Sequence, residues 1–509
     1  METLLQTLPT WITFSPLLGV ILLLFIPRTQ SGLLKGVGML ATLPPLALAL
    51  LLFGQFDGTS DKIQFSQKVD WFTLTLAKES GVTGSFTYNM GIDGLSMPLI
   101  VLAAIIFSLA AVASMYIKER HKEYFILFLL LEVGILGVFM AHNLLLFFLF
   151  FELTLVTTFF LIGIWGYLSR EKAANHFLLY NGIGSAVMLI AFIVLFFLTQ
   201  TMDFAELKAI LANPDFLQWI KEANLQWLLW STLIGILIAF GVKLPIFPFH
   251  SWMLRVHVEA PPSVVMLHSG VMLKMGAYGL LRFGVELFPT YVKEIATLLA
   301  ILGLVNILYG AILAFRQRDL KRVLAYSSIS HMGFILFGIA SLNVIGLQGA
   351  VFQAVSHGFI SALLFFIIAS LYERTKTTMI DELGGLSQVM PILSGIFLAA
   401  ALALLGLPGM SGFISELLAF LGLFDRAPVI AVIGALGLIL ATVYALRAVL
   451  STTFGALATE WKNVKDTRIV ETLPMLLLLG LIIGVGIYPS VLSDPMQATL
   501  QMIASRMGG

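Results

Sequence analysis

Gly235-Ile-Leu-Ile-Ala-Phe-Gly-Val-Lys-Leu-Pro-Ile-Phe-Pro-Phe-His-Ser-Trp252 reads as a membrane helix as far as Lys243, and there it breaks. Pro245 and Pro248 each lack an N–H, so the carbonyls of Gly241 and Leu244 lose their helical donors. Bare carbonyls are costly in hydrocarbon, and a broken helix is tolerated only inside protein or beside water. A buried cation beside a local break is the way ion pathways are built in transporters. The plainer alternative is a kinked helix whose lysine snorkels to a headgroup, but apolar sequence flanks Lys243 on both sides.

The rest of the chain has the composition this demands. Of 509 residues, 59% are hydrophobic and 11% charged, where a soluble domain carries roughly 25% charged residues. The expected fold class is an all-α polytopic membrane protein. A net charge of +1 gives no sign of nucleic-acid binding, and the absence of Cys excludes disulfides, thiolate metal sites and iron–sulfur ligation. The first apolar run ends in Pro27-Arg28 without a small-residue cleavage pattern and reads as a retained helix.

At roughly 20 apolar residues per crossing, about fourteen transmembrane helices fit, the seventh (227–255) and twelfth (389–424) broken. The polar segment 54–92 partly alternates around Gln64 to Leu76, which predicts a surface hairpin. Asp203 to Gln226 reads as a short amphipathic helix on the membrane surface. The second break lies in Leu402-Ala-Leu-Leu-Gly-Leu-Pro-Gly-Met-Ser-Gly-Phe-Ile-Ser-Glu416. The two breaks are five spans apart, and an odd repeat places its second copy upside down, giving two inverted five-helix repeats. The expected units are 1–122 (three helices and the loop), 123–286 and 287–455 (the repeats), and 456–509 (a last helix and tail). Basic clusters such as Lys118-Arg120-Lys122, Arg316-Arg318-Lys321-Arg322 and Lys462-Lys465-Arg468 fall in one set of loops. Only Lys208, Lys221, Arg282, Lys293 and Arg426 fall in the short loops opposite. The positive-inside rule then puts both termini on the non-cytoplasmic side.

Ionisable residues within spans are the functional candidates. Glu152 lies mid-span and Lys243 is its natural partner, as a proton-handling pair or as a static ion pair. Lys274 shares a helix face with Gly270 and Ala277, so it points inward against a close neighbour. Ser327 and His331 lie one turn apart, and Gln353, His357 and Ser361 form a stripe at four-residue steps, as a water wire or as interior hydrogen-bonding groups. Glu416 follows the second break and is the candidate terminal carrier, with Arg447 as a partner or a snorkelling charge. Glu132 is an intramembrane acid of open role, and His250 and His268 are weaker candidates. No phosphate-binding loop or zinc-type spacing occurs.

Phe151-Glu152, Phe240 to Trp252, Ala325-Tyr-Ser-Ser-Ile-Ser-His-Met-Gly333 and Leu407-Pro-Gly-Met-Ser-Gly-Phe-Ile-Ser-Glu416 together resemble the antiporter-like membrane subunits of respiratory complex I, across essentially the whole chain. The resemblance implies fourteen helices and a proton path. Glu152 would be the glutamate of the fifth helix, Lys243 the lysine of broken helix seven, Lys274 the central lysine of helix eight and Glu416 the acid of helix twelve. Sister branches L and N, and the large subunits of multisubunit Na⁺/H⁺ antiporters, usually carry lysine at that last place, so the glutamate favours the M (subunit 4) branch. The implied function is proton translocation in an NADH–quinone oxidoreductase, with no cofactor on this chain. NADH or another donor, flavin, iron–sulfur clusters and quinone would belong to partner subunits, and sister membrane-arm subunits and the lipid bilayer would be its contacts. The setting would be a bacterial cytoplasmic or equivalent energy-transducing membrane. The alternatives are a Na⁺/H⁺ antiporter subunit without a redox partner and a purely structural scaffold.

Overall fold

The computed structural model describes residues 6–77 and 82–508, with side chains at 74–77 and 82–85 excepted. Among the described residues, thirteen helices are long and apolar enough to cross a membrane. We number the spans α1 (Leu8–Phe25), α2 (Ser31–Gln55), α3 (Met97–Tyr116), α4 (His121–Met140), α5 (Leu144–Trp165), α6 (Arg170–Thr199), α7a (Gln226–Lys243), α8 (Pro262–Val285), α9 (Pro289–Arg316), α10 (Leu320–Ser341) and α11 (Val344–Thr375), then α13 (Pro428–Thr453) and α14 (Ile469–Ile487). The second half of the first broken helix is α7b (Ser251–Glu259), and the other broken helix is α12a (Pro391–Leu404) with α12b (Ser411–Arg426). All fourteen expected spans are present, two of them broken.

Local chemistry starts these helices where they are. Asn143, Asp319 and Asn343 cap α5, α10 and α11 by accepting backbone N–H groups of the first turn, satisfying donors the helix cannot. Proline occupies the first turn of α8, α9, α12a and α13, where its missing N–H costs nothing. Helices α8, α10 and α11 are buried along nearly their whole length, whereas α1, α2, α13 and α14 turn apolar side chains outward. A helix hydrophobic all round belongs in the middle of the bundle, and these three interior helices carry most of the candidate residues.

The 54–92 segment forms the expected hairpin, β1 (Gln64–Ala77) antiparallel to β2 (Val82–Ile92), with Val69 opposite Tyr88 and Phe72 stacked on Phe86 at 4.7 Å. Segment 203–226 is two helices rather than one. Asn213-Pro214 ends the first, Phe204–Leu211, and caps the second, Pro214–Glu222. The stretch after α14 is also more than a tail: Ser490–Arg506 forms α15, which folds back so that Thr499 Oγ1 accepts from Gly94 N at 3.1 Å. Hairpin, surface helices and α15 gather at one end of the bundle, the hairpin side; the basic clusters lie at the other.

Candidate functional site: a line of buried charges across the bundle

The first break runs over 244–250. Gly241, expected to lose its helical donor, regains one, since Ile246 N donates to its carbonyl at 2.9 Å. Asn306, on α9, supplies most of the remaining repair. Its Oδ1 accepts from Phe247 N at 2.8 Å and its Nδ2 points at Pro245 O at 3.4 Å. The Trp252 indole donates to Val242 O at 3.1 Å, tying α7b to α7a. Gly276 lets α8 lie against the break: a Cβ there would come 2.5 Å from Leu244 N.

Lys243 is buried, but it forms no direct salt bridge with Glu152 and its Nζ has no hydrogen-bond acceptor among the described residues. It lies over the rings of Phe151 and Phe177, at 4.9 and 5.6 Å. Glu152 is only half-buried at the edge of α5, with one carboxylate oxygen buried and unpartnered. The expected inward-facing carboxylate is therefore corrected in position: the α5 helix places Glu152 on the rim of the bundle, from where its carboxylate acts on Lys243 through space without a direct salt bridge.

Lys274 is fully buried on α8. The helix widens into π turns at His268–Met272 and Leu280–Val285, a distortion frequent at functional sites. Lys274 Nζ donates to the Ser269 carbonyl, five residues back, and contacts His357 Nδ1 at 2.8 Å. Gly270 and Gly358 make this reach possible. A Cβ on Gly358 would come 2.7 Å from Gly270 O, so α8 and α11 touch backbone to backbone beside the lysine.

From His357 the line continues. Its ring lies 5.4 Å from that of His331, centroid to centroid. His331 Nδ1 is 3.2 Å from Gln353 Nε2 and 3.5 Å from Glu416 Oε1, and its Nε2 is 3.5 Å from Tyr444 Oη. Ser415 donates to Gln353 Oε1, and Ser356 pairs with Ser411 at 2.7 Å. Gly406, at the second break, has φ +76°, and a Cβ there would come 2.4 Å from Glu416 Oε2. Glu416 also lines a cavity of about 400 Å³ with Phe413, Phe420, Phe424 and Leu438. Lys274, His357, His331 and Glu416, from α8, α11, α10 and α12b, thus form one connected row.

Two histidines extend the row toward Lys243. His257 Nε2 and His268 Nδ1 are 2.9 Å apart, and both rings are buried. His268 packs edge-on against Trp252 and Phe177, the latter shared with Lys243. His257 lies two residues beyond the expected end of the broken helix at 255, and its spacing of seven from His250 is the only signal of it in the sequence. Besides Glu152, three further named candidates stay outside the row. His250 bonds Tyr309 at 3.1 Å. Glu132 is buried with no hydrogen-bond partner for either oxygen among the described residues. Arg447 donates to the Phe315 carbonyl and does not meet Glu416. On the basic-loop side, a cavity of about 470 Å³ lined by Tyr116, Glu119, Tyr167, Pro261 and Glu373 lies near the buried hydroxyl cluster of Ser114, Tyr124 and Ser263.

Comparisons with known proteins identify the family. Residues 141–442 match the family described as NADH:quinone oxidoreductase/Mrp antiporter, TM, and residues 39–141 match NADH-ubiquinone oxidoreductase chain 4, amino terminus. An NAD(P)H-quinone oxidoreductase chain 4 of Prochlorococcus marinus (strain MIT 9515) is 39% identical, over 97% of this chain and 90% of that one. One from Thermosynechococcus vestitus is also 39% identical, over 98% and 92%. Among solved structures, a chain of respiratory complex I from Thermus thermophilus with bound NADH superposes with TM-score 0.84 at 29% identity, covering 98% of this chain and all of that one. A chain of the Mrp complex from Dietzia superposes at TM-score 0.83 but 18% identity, covering 99% of this chain and 100% of that one, a likeness of fold alone. The chain therefore belongs to the NADH:quinone oxidoreductase/Mrp antiporter membrane family, on its chain 4 (subunit M) branch.

Proposed function

We propose that this chain is the proton-translocating chain 4 subunit of a complex I-type NADH–quinone oxidoreductase, assembled beside sister membrane-arm subunits. Electron transfer takes place in partner subunits that hold the flavin, iron–sulfur clusters and quinone. This chain moves protons through Lys243, the His257/His268 pair, Lys274, His357, His331 and Glu416, with Glu152 acting on Lys243 from the rim. The single observation that carries this reading is the connected row from Lys274 to Glu416, built from four helices inside the bundle. A stable core gains little from such a row, because buried charges cost several kcal/mol each in desolvation.

The α4–α8 and α9–α13 units are the two inverted halves, 123–286 and 287–455, with a break in the fourth helix of each. The basic-loop side faces the cytoplasm of a bacterial or equivalent energy-transducing membrane, and both termini lie opposite. The test is Lys243→Ala with donor-driven proton uptake in inverted vesicles and assembly verified. Uptake should fall roughly 10²-fold, the scale of losing a positioned proton-transfer group. Normal pumping and turnover in that variant would sink the relay. Sodium-dependent antiport without any electron donor would instead support a free-standing antiporter, a reading that Glu416, standing where antiporter large subunits usually carry lysine, argues against.

A further inference from the structure

Helix α8 offers the proton on Lys274 two directions. One is sideways to His357. The other is straight along the helix, where Lys274, Tyr278, Arg282 and Glu286 follow at four-residue steps on one face. The twelve steps of helix from Lys274 to Glu286 span only about 18 Å, and Glu286 ends at Lys208, whose side chain is 24% exposed on the hairpin side. This second route is short, lined with polar groups and absent from the proposed path.

We propose that Arg282, with the two carboxylates it binds, is a proton seal that closes the hairpin-side end of α8 and directs the proton on Lys274 sideways to His357. The proposal rests on the reading of Lys274 as a proton carrier. Counted from sequence among the loop charges, Arg282 is in fact 2% exposed. Its Nη2 lies 2.6 Å from Asp93 Oδ2 and its Nη1 2.8 Å from Glu286 Oε2. Lys208 Nζ binds the other Glu286 oxygen at 2.6 Å, and Arg506 donates to the Glu286 carbonyl at 3.1 Å. The surface helix, the hairpin base, α8 and α15 are thereby knotted around one guanidinium.

Each member of the knot is unfit to relay a proton. A guanidinium has donors only and does not release one, and a fixed cation in a narrow path repels an incoming positive charge. Tyr278 accepts from Arg282 Nε at 3.2 Å and spends its own proton on Phe139 O at 3.4 Å. Burial would raise Asp93, but Arg282 and His142 bring it down to about 2, so it takes up no proton near neutrality. Burial, with Arg282, lowers His142 to about 4 and keeps it neutral. Both Glu286 oxygens are already held by cations. Stability does not account for the knot either, since apolar side chains of similar volume commonly replace buried ion clusters without loss.

The experiment measures passive proton conductance of the whole complex in proteoliposomes, under an imposed membrane potential and without electron donor. Arg282→Met should leak several-fold more than wild type while retaining electron transfer. Because that variant strands two carboxylates, Arg282→Met combined with Asp93→Asn and Glu286→Gln provides a neutral version that keeps the volume. Adding Lys274→Met to either should restore a tight membrane, which a leak caused by loosened packing would not do. Tight vesicles from the assembled Arg282 variants, or a leak that survives Lys274→Met, overturns the seal. Full pumping by Lys274→Met alone overturns the carrier reading and the seal with it. Abolished pumping there, beside tight Arg282→Met vesicles, overturns the seal alone.

Discussion

The two broken helices carry ionisable groups of opposite kind in opposite circumstances. At the first break, Lys243 meets ring faces and no acceptor, while Asn306 and Trp252 repair the backbone around it. At the second, Glu416 reaches His331 and is pressed against a glycine of positive φ. One end of the row has a well-repaired backbone and an ammonium with no hydrogen-bond acceptor among the described residues; the other has a carboxyl group beside His331, packed against a turn that only glycine fits. An isolated ammonium can change partners by small movements, whereas a connected carboxylate is fixed by its neighbours. This difference suits a site that receives a proton at one end and a site that passes it along a fixed row at the other.

Lys274 joins the two ends, and its loss should have the largest effect. Lys274→Met should cut donor-driven proton uptake roughly 10²-fold, with Lys274→Arg nearly as poor because arginine keeps the charge but not the exchangeable proton. Full uptake in the arginine variant would mean that residue 274 never deprotonates and that the two breaks are not joined through it.

Gly406→Ala tests the second break. A left-handed φ costs a non-glycine residue roughly 1–2 kcal/mol, and the added methyl would collide with Glu416 Oε2. Thermal unfolding should show a loss of about 2–3 kcal/mol, together with reduced pumping. An unchanged melt and normal pumping would show that the turn accommodates a side chain beside Glu416 and does not require glycine.

Asn306→Leu tests the first. Leaving Phe247 N–H and Pro245 O buried without their partner should cost about 2 kcal/mol. Lys243-dependent uptake should be impaired, and the His331–Glu416 contact should stay intact. Equal disturbance of both contacts, read by cross-linking across each, would erase the distinction between the breaks.

A final prediction lies outside both and serves as their control. Asp93, facing Arg282 and His142, has its folded value at about 2 against an ordinary 3.8. Its charged form therefore adds about 2 kcal/mol above pH 4. That contribution is lost only as pH falls through about 2. The stability difference between wild type and Asp93→Asn should be flat from pH 5 to 9, and a slope there would point to another titrating group.

The spans, both breaks and the hairpin were legible in the sequence because each rests on local rules: apolar length, missing N–H groups and alternation. So were the buried status of Lys243, Lys274, His331, His357 and Glu416, since ionisable groups within apolar runs have nowhere else to go. Illegible were the rim position of Glu152, the burial of Arg282 counted as a loop charge, and the repair of the first break by Asn306, sixty residues away. Each depends on which face of a helix meets which neighbour, and in membrane helices that are apolar all round no periodicity marks the face.

The sequence by itself determined a fourteen-span bundle with charges at its core, because water and hydrocarbon sort residues one span at a time. Only the tertiary structure decided which of those charges touch. The Gly270–Gly358 contact brings α8 against α11 and so joins Lys274 to His357, a backbone approach that neither helix could specify without the other.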